Sequence, residues 1–314
     1  MSPPETLVLP FDDDSIARAA ALILAGQPVA VPTETVYGLA ADATNAEAVA
    51  RIYAAKGRPS FNPLIVHVAD LAAAERLGNF DAAALALAEA HWPGPLTIVV
   101  PARPGNGIAA LVTAGLATIA IRVPAHPAMQ ALLAAANRPL AAPSANASGR
   151  ISPTRASHVL ASLYGRIALV IDGGPTTKGI ESTIVAATGG PLRLLRRGPV
   201  EVDAPLATGG IEAPGMMASH YAPQKSLRLD ATEAGNDEYL IGFGRVAGDV
   251  SLSETGDLTQ AAARLFDLLH LADASAKPHI AVAPIPNEGI GAAIRDRLSR
   301  AATPGSSAVP GNSS

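Results

Sequence analysis

The chain has 314 residues, of which 49% are hydrophobic and 16% charged, with a formal net charge of −4 and no cysteine. This length predicts one large or two smaller well-packed domains, and the lack of cysteine excludes disulfides, thiolate zinc sites and a cysteine nucleophile. The slightly negative charge argues against broad binding to nucleic acid; since we find neither a membrane-length apolar run nor a signal-peptide pattern, we expect a cytoplasmic protein.

The first elements lead to an unusually polar segment. Three aspartates at 12–14 cap a predicted helix, and a strand at 28–31 runs into Pro-Thr-Glu-Thr-Val-Tyr-Gly-Leu at 32–39. Open α/β sheets bind ligands at the carboxyl ends of their strands, so the hydroxyls and the carboxylate of this segment are candidate ligand contacts. In the alternative interpretation, Thr33 and Thr35 only satisfy backbone groups of a capped turn.

A stiff turn around Lys56 and Arg58 separates the next predicted helix from a buried strand. Pro59 and Pro63 restrict this turn, so we expect its side chains to point in a definite direction. Two cations in such a turn favour an anion site. The alternative is that both charges lie on the surface and only mark the C-terminus of the helix.

An arginine interrupts the apolar strand predicted at 118–124. Arg122 is costly to bury unless it pairs with a carboxylate or an anion, so it is a candidate for binding a substrate carboxylate, with an internal salt bridge as the alternative. The later segment 143–154 holds small hydroxyl and amide residues, and its Ser-Pro-Thr at 152–154 predicts the start of a helix. Such residues before a helix favour phosphate binding, with an ordinary capped loop as the alternative.

Several common catalytic motifs are missing from the sequence. It contains neither the Gly-x-x-x-x-Gly-Lys-Ser/Thr motif of P-loop proteins nor the Gly-x-Ser-x-Gly elbow of serine hydrolases. The seven histidines lack the spacing of metal ligands. We therefore predict no metal site built by protein side chains.

Composition divides the chain into two units. A stretch rich in Ala, Pro and Gly at 203–215 indicates a linker, and strands alternate with helices again after it. The predicted divisions are a catalytic domain at 1–207, a linker or lid at 208–224, a small α/β domain at 225–302 and a disordered tail at 303–314.

Seven motifs follow one another between residues 10 and 200, and as a set they resemble the YrdC-like family. They are Pro-Thr-Glu-Thr-Val-Tyr-Gly-Leu at 32–39, Lys-x-Arg-Pro at 56–59, Pro-Leu at 63–64, Trp-Pro-Gly-Pro-Leu-Thr at 92–97, Pro-Ser-Ala-Asn-x-Ser-Gly at 143–149, Ser-Pro-Thr at 152–154 and Glu-Ser-Thr-Ile-Val at 181–185. The linker and the final helix resemble the long, two-domain L-threonylcarbamoyladenylate synthases of this family. The resemblance implies an α/β fold, with a YrdC-like twisted open sheet, flanking helices and a small C-terminal Rossmann-like α/β domain.

The resemblance also implies a reaction and its site. L-threonine, bicarbonate or CO2 and ATP give threonylcarbamoyl-AMP and pyrophosphate, with Mg²⁺ on the phosphates. A downstream threonylcarbamoyl transferase complex then modifies tRNA next to the anticodon, with no membrane and no direct tRNA binding by this chain. The residues matched to ATP are Lys56, Arg58, Asn62, Thr118, Ser144, Asn146, Ser152, Arg196 and Tyr221, of which Lys56 and Arg58 are the catalytic cations and Tyr221 is a lid. The residues matched to L-threonine are Thr35, His67, Arg122, Ala142 and Ser182.

Three positions depart from the family pattern. Arg197 replaces the usual proline, so either Arg196 or Arg197 faces the phosphates. Met-Ala-Ser at 217–219 replaces Lys-Tyr-Arg, which predicts a less tightly closing linker. Ala142 lacks a hydroxyl that is often found at this point, which removes one threonine contact. Glu34 has two interpretations, orienting its turn or binding the metal.

Three other functions remain open at this stage. A nucleic-acid-binding module is disfavoured because basic and acidic residues nearly balance over 1–224. A carbamoyl-transfer enzyme of the hydrogenase-maturation type would carry zinc-binding cysteines and an acylphosphatase segment, and we find neither. A non-catalytic regulatory member is disfavoured by the intact Lys56 and Arg58 pair.

Overall fold

The computed structural model describes residues 5–207, 212–213 and 220–303, and its strands form two sheets. The strands of the larger sheet are β1 Leu7–Pro10, β2 Val29–Pro32, β3 Tyr37–Asp42, β4 Ile65–His67, β5 Leu96–Pro101, β6 Thr118–Arg122, β7 Leu140–Ala141, β8 Leu169–Asp172, β9 Thr183–Ala186 and β10 Arg193–Arg196. The strands of the smaller sheet are β11 Ser226–Arg228, β12 Glu238–Gly242, β13 Val250–Ser251 and β14 His279–Val282.

Helices cover both sheets. They are α1 Asp13–Leu24, α2 Ala46–Lys56, α3 Leu71–Leu77, α4 Ala82–His91, α5 Ala110–Thr113, α6 Pro127–Ala136, α7 Ala156–Leu163, α8 Leu258–Ala274 and α9 Gly289–Ala302. Among the residues described, no helix is both long and apolar enough to cross a membrane.

The larger sheet is mixed and has the order β1-β8-β2-β3-β7-β4-β6-β5-β9-β10, whereas the smaller is parallel with the order β11-β14-β12-β13. This architecture confirms the predicted α/β fold with a second, smaller α/β unit. The domain boundaries stay a prediction. Residues 208–211, 214–219 and 304–314, which include most of the predicted lid and tail and the departure at 217–219, lie outside the described residues.

Local sequence explains how the cationic turn is placed. Asn45 caps α2 by accepting hydrogen bonds from two backbone amides of its first turn, and Gly57 ends the helix in the left-handed conformation, with φ of 60°. The chain then reverses into β4 within a few residues. As a result Arg58 lies beside the start of that strand, where it donates to the carbonyls of Asn62 and Pro63.

One predicted helix start is wrong. The segment at 152–154 does not begin α7, because Arg155 is still extended and the first helical residue is Ala156. Ser152 and Thr154 are instead buried in the loop that precedes the helix. The phosphate-binding geometry expected for a helix N-terminus is therefore absent at Ser152.

The smaller unit packs directly on the larger one. Val36, Ile151 and Ile180, which precede or follow strands of the larger sheet, belong to the same buried apolar cluster as α8 and α9. At Gly179, a Cβ would lie 2.3 Å from the carbonyl oxygen of Ala263 in α8. The backbones therefore approach more closely at this point than any residue with a side chain would allow.

Candidate active site

A pocket lies on one face of the larger sheet, where alternate residues of neighbouring strands point the same way. The register pairs Ile65 with Ala120 and His67 with Arg122, so these side chains share one face. The pocket is lined by Thr33, Thr35, Val36, Gly38, Arg58, Ile65, His67, Arg122, Ala142, Pro143, Ser144, Glu181, Ser182, Arg196, His220 and Tyr221. Residues from six separate parts of the sequence thus converge on one place.

All five residues predicted to contact L-threonine line this pocket: Thr35, His67, Arg122, Ala142 and Ser182. Two of them carry hydroxyls that are hydrogen-bonded to neighbouring hydroxyls: Thr35 Oγ1 lies 2.8 Å from Thr33 Oγ1, and Ser182 Oγ lies 2.8 Å from Thr97 Oγ1. The side chain of Ala142 is buried and contributes a wall without polar atoms.

Arg122 makes the internal ion pair that the sequence left as an alternative. Its guanidinium donates to the Glu34 carboxylate at 2.6 Å, to the Thr35 hydroxyl at 2.9 Å and to the Gly94 carbonyl at 3.1 Å. Glu34 also accepts a hydrogen bond from the Ala125 amide. Burial raises the pKa of Glu34, but the charge and hydrogen bonds of Arg122 outweigh it and hold that pKa below its ordinary value. This geometry favours the orienting interpretation of Glu34, and it leaves Arg122 both paired and exposed to the pocket.

His67 is held neutral within the pocket. Burial, together with the positive charge of Arg122, lowers its pKa to about 3. Its Nδ1 is buried and has no hydrogen-bond partner among the described residues. A buried ring nitrogen of this kind is ready to bond a polar group of a ligand.

The predicted phosphate cations lie close to one another. Arg58 and Arg196 line the pocket, whereas the Lys56 ammonium donates to the carbonyls of Ser144 at 2.6 Å and Asn146 at 2.5 Å. Burial, and then the neighbouring charge of Arg58, lower the pKa of Lys56 well below its usual value. Lys56 therefore anchors the 143–149 loop, and Arg58 and Arg196 present the charge.

Arg196 rather than Arg197 faces the pocket. Arg196 is buried and donates to the carbonyl and the hydroxyl of Ser182, while Arg197 is exposed and lines a separate cleft. The strand β10 ends at Arg196, so its side chain is directed onto the sheet face. This answers the question that the unusual Arg197 raised.

The other residues matched to ATP are less uniformly placed. Ser144 lines the pocket, but Asn62, Thr118, Asn146 and Ser152 are not among its lining residues. The Ser152 hydroxyl donates to the Glu181 carboxylate at 2.5 Å, and the Asn62 carbonyl accepts from Arg58. Thr118 begins β6 on the same face as Arg122, four residues away, which is about 13 Å along a strand.

An apolar floor connects Thr118 to the pocket. It is formed by Ile65, Val99, Ala120, Ile184, Ala186 and Leu195, with Ala213 from the predicted linker packed on it. A flat apolar surface between a cationic pocket and a hydroxyl suits a nucleobase.

Tyr221 and His220, which belong to the predicted lid, line one side of the pocket. Tyr221 is only 1% exposed and has a positive φ of 64°, and its ring contacts those of His220 and Phe266. The pocket has a volume of about 50 Å³ in this conformation, whereas sites for ligands of this kind span roughly 300–1,000 Å³. In this conformation the pocket is therefore smaller than a typical small-molecule site.

The structure adds residues that sequence reasoning did not assign. Glu181 lines the pocket, and it accepts a hydrogen bond from Arg297 of α9 at 3.0 Å. Arg297 is fully buried between the helical positions Ile294, Leu298 and Ala301. A charged residue on the apolar face of a predicted helix was the signal that could have found it.

The described residues contain no group of three or more His, Cys, Asp or Glu side chains that could hold a metal. Both carboxylates at the pocket, Glu34 and Glu181, are engaged by arginines. The residues present therefore do not fit a metal held by the protein itself.

The comparisons with known proteins agree over nearly the whole chain. A family model for Sua5, YciO and YrdC proteins, described as "Telomere recombination", matches residues 21–198, and one described as "Threonylcarbamoyl-AMP synthase, C-terminal domain" matches residues 176–303. The chain belongs to the Sua5/YciO/YrdC family.

Relatives and solved structures from this family are similar throughout. The threonylcarbamoyl-AMP synthase of Bacillus subtilis is 40% identical over 94% of each chain, and that of Pyrococcus abyssi is 38% identical over 93% of this chain and 95% of its own. The crystal structure of P. abyssi Sua5 complexed with L-threonine superposes with a TM-score of 0.83 at 34% identity, covering 95% of this chain and 97% of that one. These relatives confirm the resemblance drawn from the motifs.

Proposed function

We propose that the chain is an L-threonylcarbamoyladenylate synthase, a nucleotidyltransferase that makes threonylcarbamoyl-AMP and pyrophosphate from L-threonine, bicarbonate or CO2, and ATP. The observation that carries this proposal is the convergence of a carboxylate-binding arginine, a neutral histidine and a cationic cluster in one pocket. Threonine needs the first two, and a triphosphate needs the third. Relatives with the same name are about 40% identical over the same length.

Five residues that line the pocket support the proposed binding of threonine at one end of it: Thr35, His67, Arg122, Ala142 and Ser182. Arg122 would bind the carboxylate, because it can keep its bond to Glu34 while another N–H group faces the ligand. The hydroxyls of Thr35 and Ser182 and the neutral His67 would bind the hydroxyl and amine of threonine. A neutral imidazole is required for this role, since an imidazolium would repel the ammonium group.

The phosphate end is supported by the charges of Arg58 and Arg196, while Lys56 holds the 143–149 loop through the carbonyls of Ser144 and Asn146. The amine of threonine attacks the carbon of CO2, and one C=O bond opens as the nitrogen loses a proton, which gives a carbamate; from bicarbonate, water leaves as well. A carbamate oxygen then attacks the α-phosphorus and breaks its bond to the oxygen that departs with pyrophosphate. The chain contributes by placing the reactants and by neutralising the charge that develops on the phosphates. Mg²⁺ enters as the counter-ion of ATP, since the described residues provide no metal site of their own.

The nucleoside would lie along the apolar floor towards Thr118. Ala120 and Ile184 form the centre of this floor, and Ala213 covers it from the linker. Tyr221 is proposed to close over the nucleotide after the pocket has widened. In this proposal the adenylate is passed to a transferase complex that acts on tRNA, and the linker at 208–224 serves as the lid between a catalytic domain at 1–207 and a smaller one at 225–302.

The experiment that tests the proposal is pyrophosphate release by the full-length protein with ATP, Mg²⁺ and bicarbonate, with and without L-threonine. Release that depends on threonine supports the synthase. Release that is equal with and without threonine would show an ATP pyrophosphatase instead. No release from folded protein would contradict the proposal.

A further inference from the structure

A buried ion pair crosses from the smaller unit into the pocket. Arg297 on α9 donates through Nε to Glu181 Oε2 at 3.0 Å and through Nη1 to Asp296 at 3.0 Å. Its side chain is fully buried, and its guanidinium lies 5.6 Å from the centre of the Tyr221 ring. Arg297 therefore touches two residues that line the pocket, although it does not line the pocket itself.

We propose that Arg297 is a positioning residue for the phosphate end of the site, because it binds Glu181 and so keeps this carboxylate from neutralising the phosphate-binding cations. The inference rests on the proposed function, since it concerns how ATP is bound. In this proposal the smaller C-terminal unit contributes to ATP binding through Arg297.

The charges around Glu181 explain why such a residue is needed. Glu181 is a carboxylate on the wall of a pocket whose other charges at this end are the cations Arg58 and Arg196. Burial raises the pKa of Glu181, but the charges of Arg297 and Arg196 and the hydrogen bond from Ser152 outweigh it, so Glu181 is ionised. An ionised carboxylate in this place competes with a phosphate for the same cations.

Arg297 and Ser152 together engage both oxygens of the Glu181 carboxylate. One oxygen of Glu181 accepts from Arg297, and the other accepts from the Ser152 hydroxyl. Arg297 is itself fixed, because Asp296 holds its guanidinium, and burial is outweighed by the nearby Tyr221, Glu181 and Asp296, which raise its pKa. A buried arginine also pairs with a buried glutamate at the proposed threonine end, where Arg122 binds Glu34.

Loss of Arg297 would leave Glu181 to be compensated by Arg196. The two residues are close together, because Arg196 donates to the carbonyl and the hydroxyl of Ser182, the residue that follows Glu181. Burial lowers the pKa of Arg196, and the charge of Glu181 opposes this effect. A buried charge without its partner is unfavourable, so the carboxylate turns to the cation that remains. Arg196 would then bind a phosphate more weakly.

The test is calorimetric titration of the full-length protein with ATP and, separately, with L-threonine. Arg297→Met removes the charge and keeps the length of the side chain. We expect ATP affinity to fall roughly 10- to 100-fold, which corresponds to one charge-assisted hydrogen bond, while threonine affinity changes far less. The matched control is Arg295→Met on the same helix, whose guanidinium pairs with Asp230, and it should leave ATP affinity unchanged.

A double variant separates positioning from simple stabilisation. Glu181→Gln combined with Arg297→Met removes both charges, so it leaves no lone buried ion and no carboxylate to compete for Arg196. We expect it to recover most of the ATP affinity that Arg297→Met loses. If Arg297→Met does not fold, Arg297→Leu replaces it, because leucine also removes both the charge and the hydrogen bond to Glu181.

The outcomes distinguish this inference from the proposed function. Folded Arg297→Met or Arg297→Leu protein that binds ATP as the wild type does would overturn the inference and leave the synthase standing. An equal loss of ATP and threonine affinity, or a double variant that recovers nothing, would show that Arg297 only stabilises the fold. Wild-type protein that binds no ATP would overturn the proposed function and the inference together.

Discussion

Arg58 offers the sharpest single test of the phosphate-binding end. It is 9% exposed, and although burial lowers its pKa to about 10, it stays protonated at neutral pH. Its Nη2 donates to the Pro63 carbonyl at 2.9 Å, which fixes the guanidinium beside the pocket. Arg58→Ala removes the charge from a water-poor site, where it counts most.

The magnitude follows from the contacts that a guanidinium can make. Two hydrogen bonds to a phosphate at about 1.5–3 kcal/mol each give about 3–6 kcal/mol of lost transition-state binding. At about 1.36 kcal/mol per tenfold change, kcat/KM for adenylate formation should fall roughly 10²- to 10⁴-fold. Arg58→Lys keeps the charge but lacks the paired N–H groups of a guanidinium, so we expect an intermediate loss of kcat/KM.

The assay is initial-rate pyrophosphate release over a range of ATP concentrations, with circular dichroism to check the fold. Arg138→Ala is the matched control, because Arg138 is about half exposed and lies 3.8 Å from Asp42. Such a surface pair contributes only about 0–1 kcal/mol. Folded Arg58→Ala protein with an unchanged kcat/KM would refute the phosphate role of Arg58.

Two further predictions concern the threonine end and the buried histidines. Arg122→Ala should raise the KM for threonine far more than the KM for ATP, because the guanidinium faces the threonine contacts; equal changes in initial-rate kinetics would mean that Arg122 only neutralises Glu34. Stability should depend on pH because His67 and His220 are buried with pKa values lowered to about 3. The unfolded chain takes up protons below its own histidine pKa, about 6.5, so the stabilisation is complete above this pH and is lost as pH falls towards 3. Each histidine then contributes a slope of about 1.4 kcal/mol per pH unit in urea unfolding, and a flat profile between pH 6.5 and 4 would contradict this assignment.

The sequence predicted the fold class from its local patterns, and it predicted most of the residues that meet in the pocket through its resemblance to a known family. Asn45 caps the start of α2 and Gly57 ends it, and both residues can be recognised from the local sequence. The turn that carries Lys56 and Arg58 could therefore be predicted without a structure. The position of Ser152 could not be predicted in this way. Arg155 is extended, so α7 begins only at Ala156, and the Ser152 hydroxyl donates to Glu181 instead of lying at the start of the helix. Those contacts depend on a carboxylate 29 residues away, which no local pattern specifies.

The partners in the buried ion pairs were the hardest feature to predict from the sequence. Arg122 and Glu34 are 88 residues apart and Arg297 and Glu181 are 116 apart, so only the packing of distant elements brings them together. A buried arginine in an apolar strand or helix face can be recognised from sequence, but its partner cannot. This is why the sequence left the role of Arg122 open between a substrate carboxylate and an internal salt bridge, and gave Arg297 no role.

The most direct test of the account is to identify the product made from ¹³C-labelled bicarbonate, ATP, Mg²⁺ and L-threonine by mass spectrometry. The account predicts a threonylcarbamoyl-AMP whose mass rises with the isotope, together with pyrophosphate in equal amount. Folded protein that binds ATP and L-threonine but yields no labelled adenylate would contradict it.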